Sequence, residues 1–99
     1  MKKRKRDRNH ALVVRLQRHL EISVDALRPR RIRTRSARYA AALGEMLGMI
    51  TRPRNCSWCH RRARLQRHHW DYNEALNVTF LCQECHIVAD MMVSGAQSA

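Results

Sequence analysis

The chain has 99 residues, and its 20 Lys and Arg against 8 Asp and Glu give a formal net charge of +12. This length allows one domain or a small module with a tail, because chains under about 100 residues seldom build two hydrophobic cores. No apolar run approaches the roughly 20 residues that span a bilayer, and polar interruptions in Ala11–Leu20 argue against a signal peptide. Aromatic residues are scarce, and a core that thin usually needs a metal or disulfides.

The positive charge is confined to the first half of the chain. Residues 1–54 hold 16 Lys and Arg against 4 Asp and Glu, whereas residues 55–99 hold 4 of each and contain every cysteine. Such an asymmetry indicates a polyanionic partner, most simply nucleic acid. The alternatives are an anionic membrane surface, which we do not favour, and a solvated tail that keeps a small protein in solution.

The first 35 residues predict a basic arm with one helix. Met1–Arg8 is of low complexity and is expected to order only on phosphate. Asn9 can cap a helix whose apolar face is Leu12, Val13, Leu16 and Leu20. The residues of this arm that we expect to contact nucleic acid are Lys2, Lys3, Arg4, Lys5, Arg6, Arg30, Arg31, Arg33 and Arg35.

A second helix is predicted to begin after an exposed basic linker, Arg28–Arg38. Ser36 can cap this helix and Gly48 can end it. We expect its apolar stripe to pack against the cysteine-containing part of the chain; the stripe is Tyr39, Ala40, Leu43, Met46 and Leu47. The predicted domains are therefore the arm at 1–35, a helix plus cysteine module at 36–93, and a flexible tail at 94–99.

Four cysteines form two CxxC pairs. Cys56 and Cys59 make the first pair, Cys82 and Cys85 make the second, and 22 residues lie between the pairs. Each pair can place two thiolates on one turn, so that two turns supply a tetrahedral site for a structural Zn²⁺. Two disulfides and a redox CxxC are the alternatives, although a bridge within CxxC is strained as a structural staple.

The residues around the cysteines predict a hairpin and a helix. Ala63–His68 and Val78–Leu81 favour strands, and Gln83–Met92 favours a helix with Ile87, Val88 and Met91 or Met92 on its inner face. The order of knuckle, hairpin, knuckle and helix is that of a treble-clef zinc fold. The sequence thus predicts a small zinc-stabilised α+β protein, with basic N-terminal helices followed by this module.

A second set of metal ligands is suggested by the histidines. His86 and Asp90 lie four residues apart and therefore share one helix face. His68 can reach them from the hairpin and complete a site for a divalent cation. His69 would then remain unligated, and an imidazole with a pKa near neutrality suits a general base.

These residues resemble the HNH endonuclease family in its zinc-knuckle form. The resemblance covers about residues 40–92 and rests on Cys56-x2-Cys59, His68-His69, and Asn77-x4-Cys82-x2-Cys85-His86. The closest likeness is to short phage and bacterial variants with an HH-x-D-Y loop, which is His68-His69-Trp70-Asp71-Tyr72 in this chain. The resemblance implies a ββα-metal fold that cuts DNA phosphodiesters with one Mg²⁺ or a similar ion, in a cytoplasm that is bacterial or phage-infected.

The same resemblance implies a role for each matching position. His69 would activate the attacking water, and Asn77 would fix the loop that orients it. His68 and His86 would ligate the catalytic divalent ion. Asp90 stands where many members have another histidine, and a carboxylate there favours harder, oxygen-preferring ions.

Arginines that follow the first CxxC pair are also expected to bind nucleic acid. Strand alternation places Arg62 and Arg64 on one face and Arg61 and Arg67 on the other, and at least one pair is expected to contact phosphate beside the metal. Arg62 and Arg64 are the pair that we assign to nucleic-acid binding, and Trp58 and Trp70 are expected in the core. DNA is favoured over RNA as partner. The short loop between His69 and Asn77 leaves open a non-catalytic zinc-knuckle protein that binds DNA or RNA. A small basic subunit of a larger nucleoprotein assembly, with a protein partner, is the third possibility.

Overall fold

The structure is a computed structural model that describes residues 5–97, with side chains described for residues 8–93. It is a small α+β protein with three helices and one two-stranded sheet. The elements in chain order are α1 Lys5–Ser23, α2 Arg30–Met46, β1 Gln66–His69, β2 Val78–Leu81 and α3 Gln83–Gln97. None of these helices combines the length and apolarity that crossing a bilayer would require.

The chain divides into two compact units. The first, here called the helical unit, contains the chain up to Thr51 together with Asp71–Leu76. The second, here called the cysteine unit, contains Arg52–Trp70 and the chain from Asn77 onward. The segment that joins β1 to β2 therefore belongs to the helical unit, although both strands belong to the cysteine unit. The predicted boundary between residues 35 and 36 falls inside α2.

The core of the helical unit is built from small and aliphatic side chains of α1 and α2. Leu16 of α1 is buried with Ala37, Ala40 and Leu43 of α2, and Leu12, Leu20 and Leu47 pack around them. Alanines along this face allow the two helices to approach closely. The stripe on α2 thus packs against α1 and also against Tyr72, Ala75 and Leu76, which lie between Cys59 and Cys82 in the part of the chain that the sequence predicted as its partner.

Three residues predicted on these apolar faces are instead exposed: Val13, Tyr39 and Met46. The face of α2 that packs is the narrow alanine face, and bulky side chains at its margins remain in solvent. Each of the three is more than a third exposed. The periodicity identified both helices but placed their starts too late, at Asn9 and Ser36, and overestimated the width of the buried stripe.

The second helix begins earlier than predicted. Arg30–Met46 is helical, so most of the expected linker Arg28–Arg38 is the first half of α2. Pro29 occupies the N-cap position, where no side chain provides a capping hydrogen bond. The predicted cap, Ser36, is a buried residue inside the helix. Arginine is a good helix former, and the density of charge was wrongly interpreted as a sign of extended chain.

Two glycines shape the end of α2. Gly48 follows the C-cap residue Leu47 and has φ +78, as expected for a residue in the left-handed region that stops a helix. Gly44 lies inside the helix, and a Cβ there would stand 2.9 Å from Cδ2 of Leu76. The absence of a side chain at Gly44 therefore allows the segment Asp71–Leu76 to pack on α2.

His19 is half-buried in the helical unit and has neighbours that its spacing in the sequence does not predict. Its Nδ1 lies 3.3 Å from the hydroxyl of Ser36, and its ring lies 5.2 Å from the ring of Tyr39. Burial lowers the pKa of His19, and the positive charges of Arg15 and Arg18 lower it further. The imidazole is accordingly neutral over a wider pH range than an exposed histidine.

The cysteine unit is built on an antiparallel hairpin and α3. In β1 and β2, Gln66 pairs with Leu81 and His69 pairs with Val78. The prediction for β2 is confirmed at both ends, but β1 begins at Gln66, three residues later than Ala63. Helix α3 begins as predicted at Gln83 and continues to Gln97, past the predicted end at Met92 and into the expected tail; residues 98–99 lie outside the described part.

The predicted inner face of α3 is wrong. Ile87, Val88, Met91 and Met92 are all exposed, whereas Ala89 is fully buried. Cys85, His86 and Ala89 follow the helical repeat and occupy the inner side, where Ala89 is buried and the side chains of Cys85 and His86 face the clusters described below. The neighbouring apolar residues are consequently turned outward.

Candidate metal centres

The first candidate centre is the cluster of four cysteines. The ligand atoms of Cys56, Cys59, Cys82 and Cys85 all lie within 4.8 Å of one another. The Sγ atoms of Cys59 and Cys82 are 3.7 Å apart, close to the about 3.8 Å between sulfurs of a tetrahedral site with Zn–S bonds of about 2.3 Å. The four thiols are therefore placed so that they can coordinate zinc.

Local structure fixes both pairs. In the first knuckle the backbone N–H of Cys56 donates to the carbonyl of Arg61 at 2.9 Å, and that of His60 donates to Cys56 at 2.9 Å. His60 adopts φ +63 to close this turn, and its side chain is exposed. The second pair lies at the start of α3, where the N–H of His86 donates to the carbonyl of Cys82 at 2.8 Å. Two turns of different kinds thus present their sulfurs to one point.

Arg61 supplies positive charge to the sulfur cluster. Its Nε donates to Sγ of Cys59 at 3.4 Å, and its Nη2 lies 3.9 Å from Sγ of Cys82. The same Nη2 is 3.4 Å from a carboxylate oxygen of Glu84. Hydrogen bonds to the two sulfurs raise the pKa of Arg61. The guanidinium therefore offsets part of the negative charge that four thiolates would concentrate.

The four thiols differ in proton affinity. Burial raises the pKa of Cys56, but backbone hydrogen bonds from Cys82, Cys59 and Trp58 outweigh it and bring that pKa down to about 6. The hydrogen bond from Arg61 lowers the pKa of Cys59. The adjacent Cys82 and burial raise the pKa of Cys85 to about 12. A metal that takes all four sulfurs must displace the proton of Cys85, so its binding weakens in acid.

The second candidate centre joins the hairpin to α3. His68, His86 and Asp90 place one ligand atom each within 4.8 Å of one another. Oδ1 of Asp90 lies 3.2 Å from Nδ1 of His68 and 3.5 Å from Nε2 of His86. Two imidazole nitrogens and one carboxylate oxygen, with solvent on the Asp90 side, make a donor set with open coordination positions. The structure thus brings together the three residues that the sequence placed around a divalent ion.

Gln66 determines which nitrogen of His86 faces this centre. The Nδ1 of His86 lies 2.6 Å from the side-chain oxygen of Gln66. Because that oxygen only accepts hydrogen bonds, Nδ1 carries the proton and Nε2 presents its lone pair toward Asp90. Sequence reasoning missed Gln66, although its position two residues before His68 on the same strand places both side chains on one face.

The ring of His68 is held inside the cysteine unit. Only 2% of its side chain is exposed, and the indole of Trp70 meets it edge-on, with ring centroids 4.4 Å apart. Burial lowers the pKa of His68, against the opposing effect of Asp90. The neutral imidazole is the form that binds a metal. Its Nε2 is buried and has no hydrogen-bond partner among residues 8–93.

The prediction that Trp58 and Trp70 lie in the core is wrong. Both lie on the surface near the two clusters. Each is more than a third exposed, and their ring centroids are 5.9 Å apart. The indole N–H of Trp70 donates to the hydroxyl of Thr79 at 3.1 Å. Trp70 thus contacts both strands of the hairpin, through the ring of His68 in β1 and the hydroxyl of Thr79 in β2.

His69 and Asn77 are outside both clusters. His69 follows His68 in β1, so its side chain leaves the opposite face of the strand, and it is 5% exposed. Asn77 is exposed and immediately precedes β2. The structure therefore places His69 outside the cluster of His68, His86 and Asp90 and buries its side chain.

The basic residues named from the sequence have different environments. Lys2, Lys3 and Arg4 lie outside the described residues, and the side chains of Lys5 and Arg6 are likewise not described. Arg30, Arg31 and Arg35 are exposed on α2, whereas Arg33 is half-buried and its Nε has no hydrogen-bond partner among residues 8–93. Arg62 and Arg64 are exposed but precede β1, so the strand alternation predicted for them does not apply.

Comparisons with family models, curated proteins and solved structures return no match for this chain. Its function must therefore be argued from the two clusters and the surfaces of the described residues.

Proposed function

We propose that the chain is a zinc-stabilised, metal-dependent nuclease of the HNH type, acting on DNA in preference to RNA. The observation that carries the proposal is the convergence of His68, His86 and Asp90 on the ββα unit that the cysteine cluster holds together. In this proposal the cysteine cluster holds a structural Zn²⁺, and the unit is of the treble-clef, ββα-metal kind.

The division of roles follows from the donor sets. Four thiolates fill a tetrahedral site completely and leave no position for substrate, which is typical of structural zinc. His68, His86 and Asp90 supply only three donors, which leaves positions for water and a phosphate oxygen. A divalent cation there supplies positive charge for the phosphate as negative charge develops on it.

The residues of the chain then perform the remaining steps. His69 takes a proton from the attacking water, whose oxygen forms a bond to phosphorus while the bond from phosphorus to the leaving sugar oxygen breaks. Gln66 holds His86 in the tautomer that ligates. Asn77 positions the loop before β2. The basic helical unit supplies affinity for the phosphate backbone.

A nicking assay tests this proposal. Supercoiled plasmid is incubated with the protein and Mg²⁺, Mn²⁺ or Ni²⁺. We expect His69→Ala to reduce the nicking rate about 10²- to 10⁴-fold, the range for loss of a general base, with unchanged zinc content. His10→Ala is the matched control, because His10 is an exposed histidine on α1. Wild-type protein that binds DNA but nicks with none of the metals contradicts the nuclease function.

A second candidate function is a non-catalytic nucleic-acid-binding protein, alone or as a basic subunit of an assembly with a protein partner. The burial of His69 favours it, because a general base must contact the attacking water and only 5% of His69 is exposed. The same assay separates the two functions. Binding without nicking, unaffected by His69→Ala, supports this second candidate.

A further inference from the structure

One face of α2 forms a groove lined by arginine. The groove has a volume of about 540 Å³. We call it the arginine groove; its lining residues are Arg30, Arg31, Thr34, Arg35, Arg38 and Tyr72. All of them belong to the helical unit. No carboxylate lines it within the described part of the chain.

The groove lies on the side of α2 opposite to the core. With 3.6 residues per turn, positions 30, 31, 34, 35 and 38 point to one side of the helix, and the buried Ala37, Ala40 and Leu43 point to the other. Arg33 falls beside the buried face, which explains why it is half-buried and absent from the groove. The arginines of the groove are therefore not needed to pack α1 on α2.

Tyr72 reaches the groove from the segment between the two strands. Its hydroxyl accepts a hydrogen bond from Nη2 of Arg38 at 3.4 Å, and the guanidinium of Arg38 stands 5.8 Å from the centroid of its ring. The ring also packs against the core of the helical unit. Arg38 thus rests against a side chain that is itself held in place, which lowers the conformational entropy lost on binding a ligand.

The charges of the groove destabilise the helix that carries them. Arg31 and Arg35 are one turn apart, and like charges at this spacing repel. The first turn of α2 contains no acidic residue, although the helix dipole favours negative charge there. An arrangement that weakens its own helix calls for an anionic ligand, which would relieve the repulsion.

A second groove on the same unit provides a contrast. It has a volume of about 400 Å³ and is lined by Arg18, Glu21, Ile22, Asp25 and Arg28. Two carboxylates balance its two arginines, and Nε of Arg28 lies 3.5 Å from Oδ2 of Asp25. A cavity of similar size is therefore neutral in one place and strongly positive in the other, so the charge of the arginine groove is a local feature.

We propose that the arginine groove is a binding site for the phosphodiester backbone of nucleic acid. The inference rests on the proposed function because it takes nucleic acid as the partner. Compared with the binding residues predicted from the sequence, the groove includes Arg38 and Tyr72 and does not include Arg33. Guanidinium groups donate paired hydrogen bonds to phosphate oxygens. Contacts of this kind fix the position of the backbone without reading its sequence.

The test compares two double variants with the same change of net charge. Arg31→Gln with Arg35→Gln alters the arginine groove, and Arg18→Gln with Arg28→Gln alters the neutral groove. Affinity for a labelled DNA duplex is measured by fluorescence anisotropy across a salt series, in zinc-loaded protein without added Mg²⁺. We expect the first variant to bind at least about tenfold more weakly, and its salt slope to fall by about 1.8, since each phosphate contact contributes about 0.9.

The neutral-groove variant should bind within about threefold of wild type. The melting temperature supplies a second readout. Removal of repelling charges should leave the arginine-groove variant as stable as wild type or more stable, whereas arginines that support the fold would make it less stable. Equal loss of affinity in the two variants, or a lower melting temperature in the arginine-groove variant, overturns the site.

Polyglutamate is the probe for an acidic protein partner. If polyglutamate binds as tightly as the duplex and loses affinity in the same variant, the assignment to nucleic acid is overturned. Nicking is measured separately with added metal. If the protein binds through the groove but does not nick DNA with any of the added metals, the groove stands as a binding site and the nuclease function is contradicted. A protein that nicks and binds equally well in both variants retains the nuclease function and loses the site.

Discussion

The two units of this small chain use different means to hold their elements in place. The helical unit buries Leu16 and Leu43 among alanines, so apolar contact holds α1 on α2. The cysteine unit has a two-stranded sheet of only four residues a strand, and such hairpins are marginal without further support. Its four cysteines converge, and a metal that they coordinate would supply such support. A chain of 99 residues thus combines a hydrophobic core with a cluster of four cysteines that can coordinate a metal.

The largest expected effect is the loss of the sulfur cluster. Cys82→Ser should abolish zinc binding, and with it on the order of 10 kcal/mol of binding free energy that supports the fold of the cysteine unit. Metal analysis should return about one zinc per wild-type chain and none for the variant. Ser57→Ala changes an exposed side chain of the first knuckle that offers no ligand, and should retain the metal. If zinc-free and zinc-loaded wild-type protein have the same unfolding curve, zinc does not stabilise the cysteine unit and the contrast between the two units is contradicted.

The contribution of apolar packing to the helical unit is tested by a substitution that creates a cavity in its core. Leu16→Ala should lower the free energy of unfolding by about 2 to 5 kcal/mol, because the side chain is 4% exposed and lies in the core. Denaturant unfolding followed by circular dichroism measures the change. Leu27→Ala is the control, since Leu27 is 95% exposed and should alter stability by less than about 0.5 kcal/mol. Both variants should retain their zinc; loss of zinc in Leu16→Ala would show that the two supports are not separable.

Arg61 is expected to increase the affinity of the cysteine cluster for zinc. Arg61→Ala should weaken zinc binding about tenfold, the lower end of the range for residues that contact metal ligands, because the side chain is largely exposed to solvent. Competition with a chromophoric chelator measures the affinity. Arg64→Ala removes the same charge from an exposed position in the same segment and should leave the affinity unchanged. Equal weakening in both variants would reduce the role of Arg61 to net charge alone.

The smallest expected effect is the pH response of the helical unit. Because the pKa of His19 is lowered by burial and by Arg15 and Arg18, the unfolded chain takes up a proton first as the pH falls below about 6.5. The contribution of His19 is therefore complete above that pH and is lost as the pH falls through the lower, folded-state pKa. Wild type should lose more stability than His19→Gln between pH 7 and pH 5, as measured by thermal unfolding. Identical profiles for the two proteins would contradict the shift.

Local spacing was sufficient to predict much of the fold and of the candidate site. Val78–Leu81 is a short run between two polar segments, and the structure confirms it as β2. The two CxxC pairs converge as predicted, because each is contained in a single turn. His86 and Asp90 share a helix face, and His68 joins them from the hairpin. Each of these predictions depends on residues close in sequence or on the pairing of adjacent strands.

The errors occurred where tertiary packing decides. The arginine run was interpreted as a linker because charge suggested solvent, yet one helix face carries the charge while the other carries alanine. The face of α3 was predicted from apolar residues, but the ligand residues take the inner side. Gln66 escaped notice since its partner, His86, lies 20 residues away in sequence. Arg61 was expected to contact phosphate, whereas its side chain donates to Cys59 and reaches Cys82, 21 residues away. The periodicity of apolar residues does not show that the cysteine and histidine side chains of α3 occupy its inner face.

The distribution of the aromatic residues has a practical consequence. Both tryptophans of the chain, Trp58 and Trp70, lie in the cysteine unit with rings 5.9 Å apart, and both tyrosines, Tyr39 and Tyr72, lie in the helical unit. Indole emission therefore reports on one unit and phenol emission on the other. Unfolding of the two can be followed side by side in a single unlabelled sample, by the native chromophores alone.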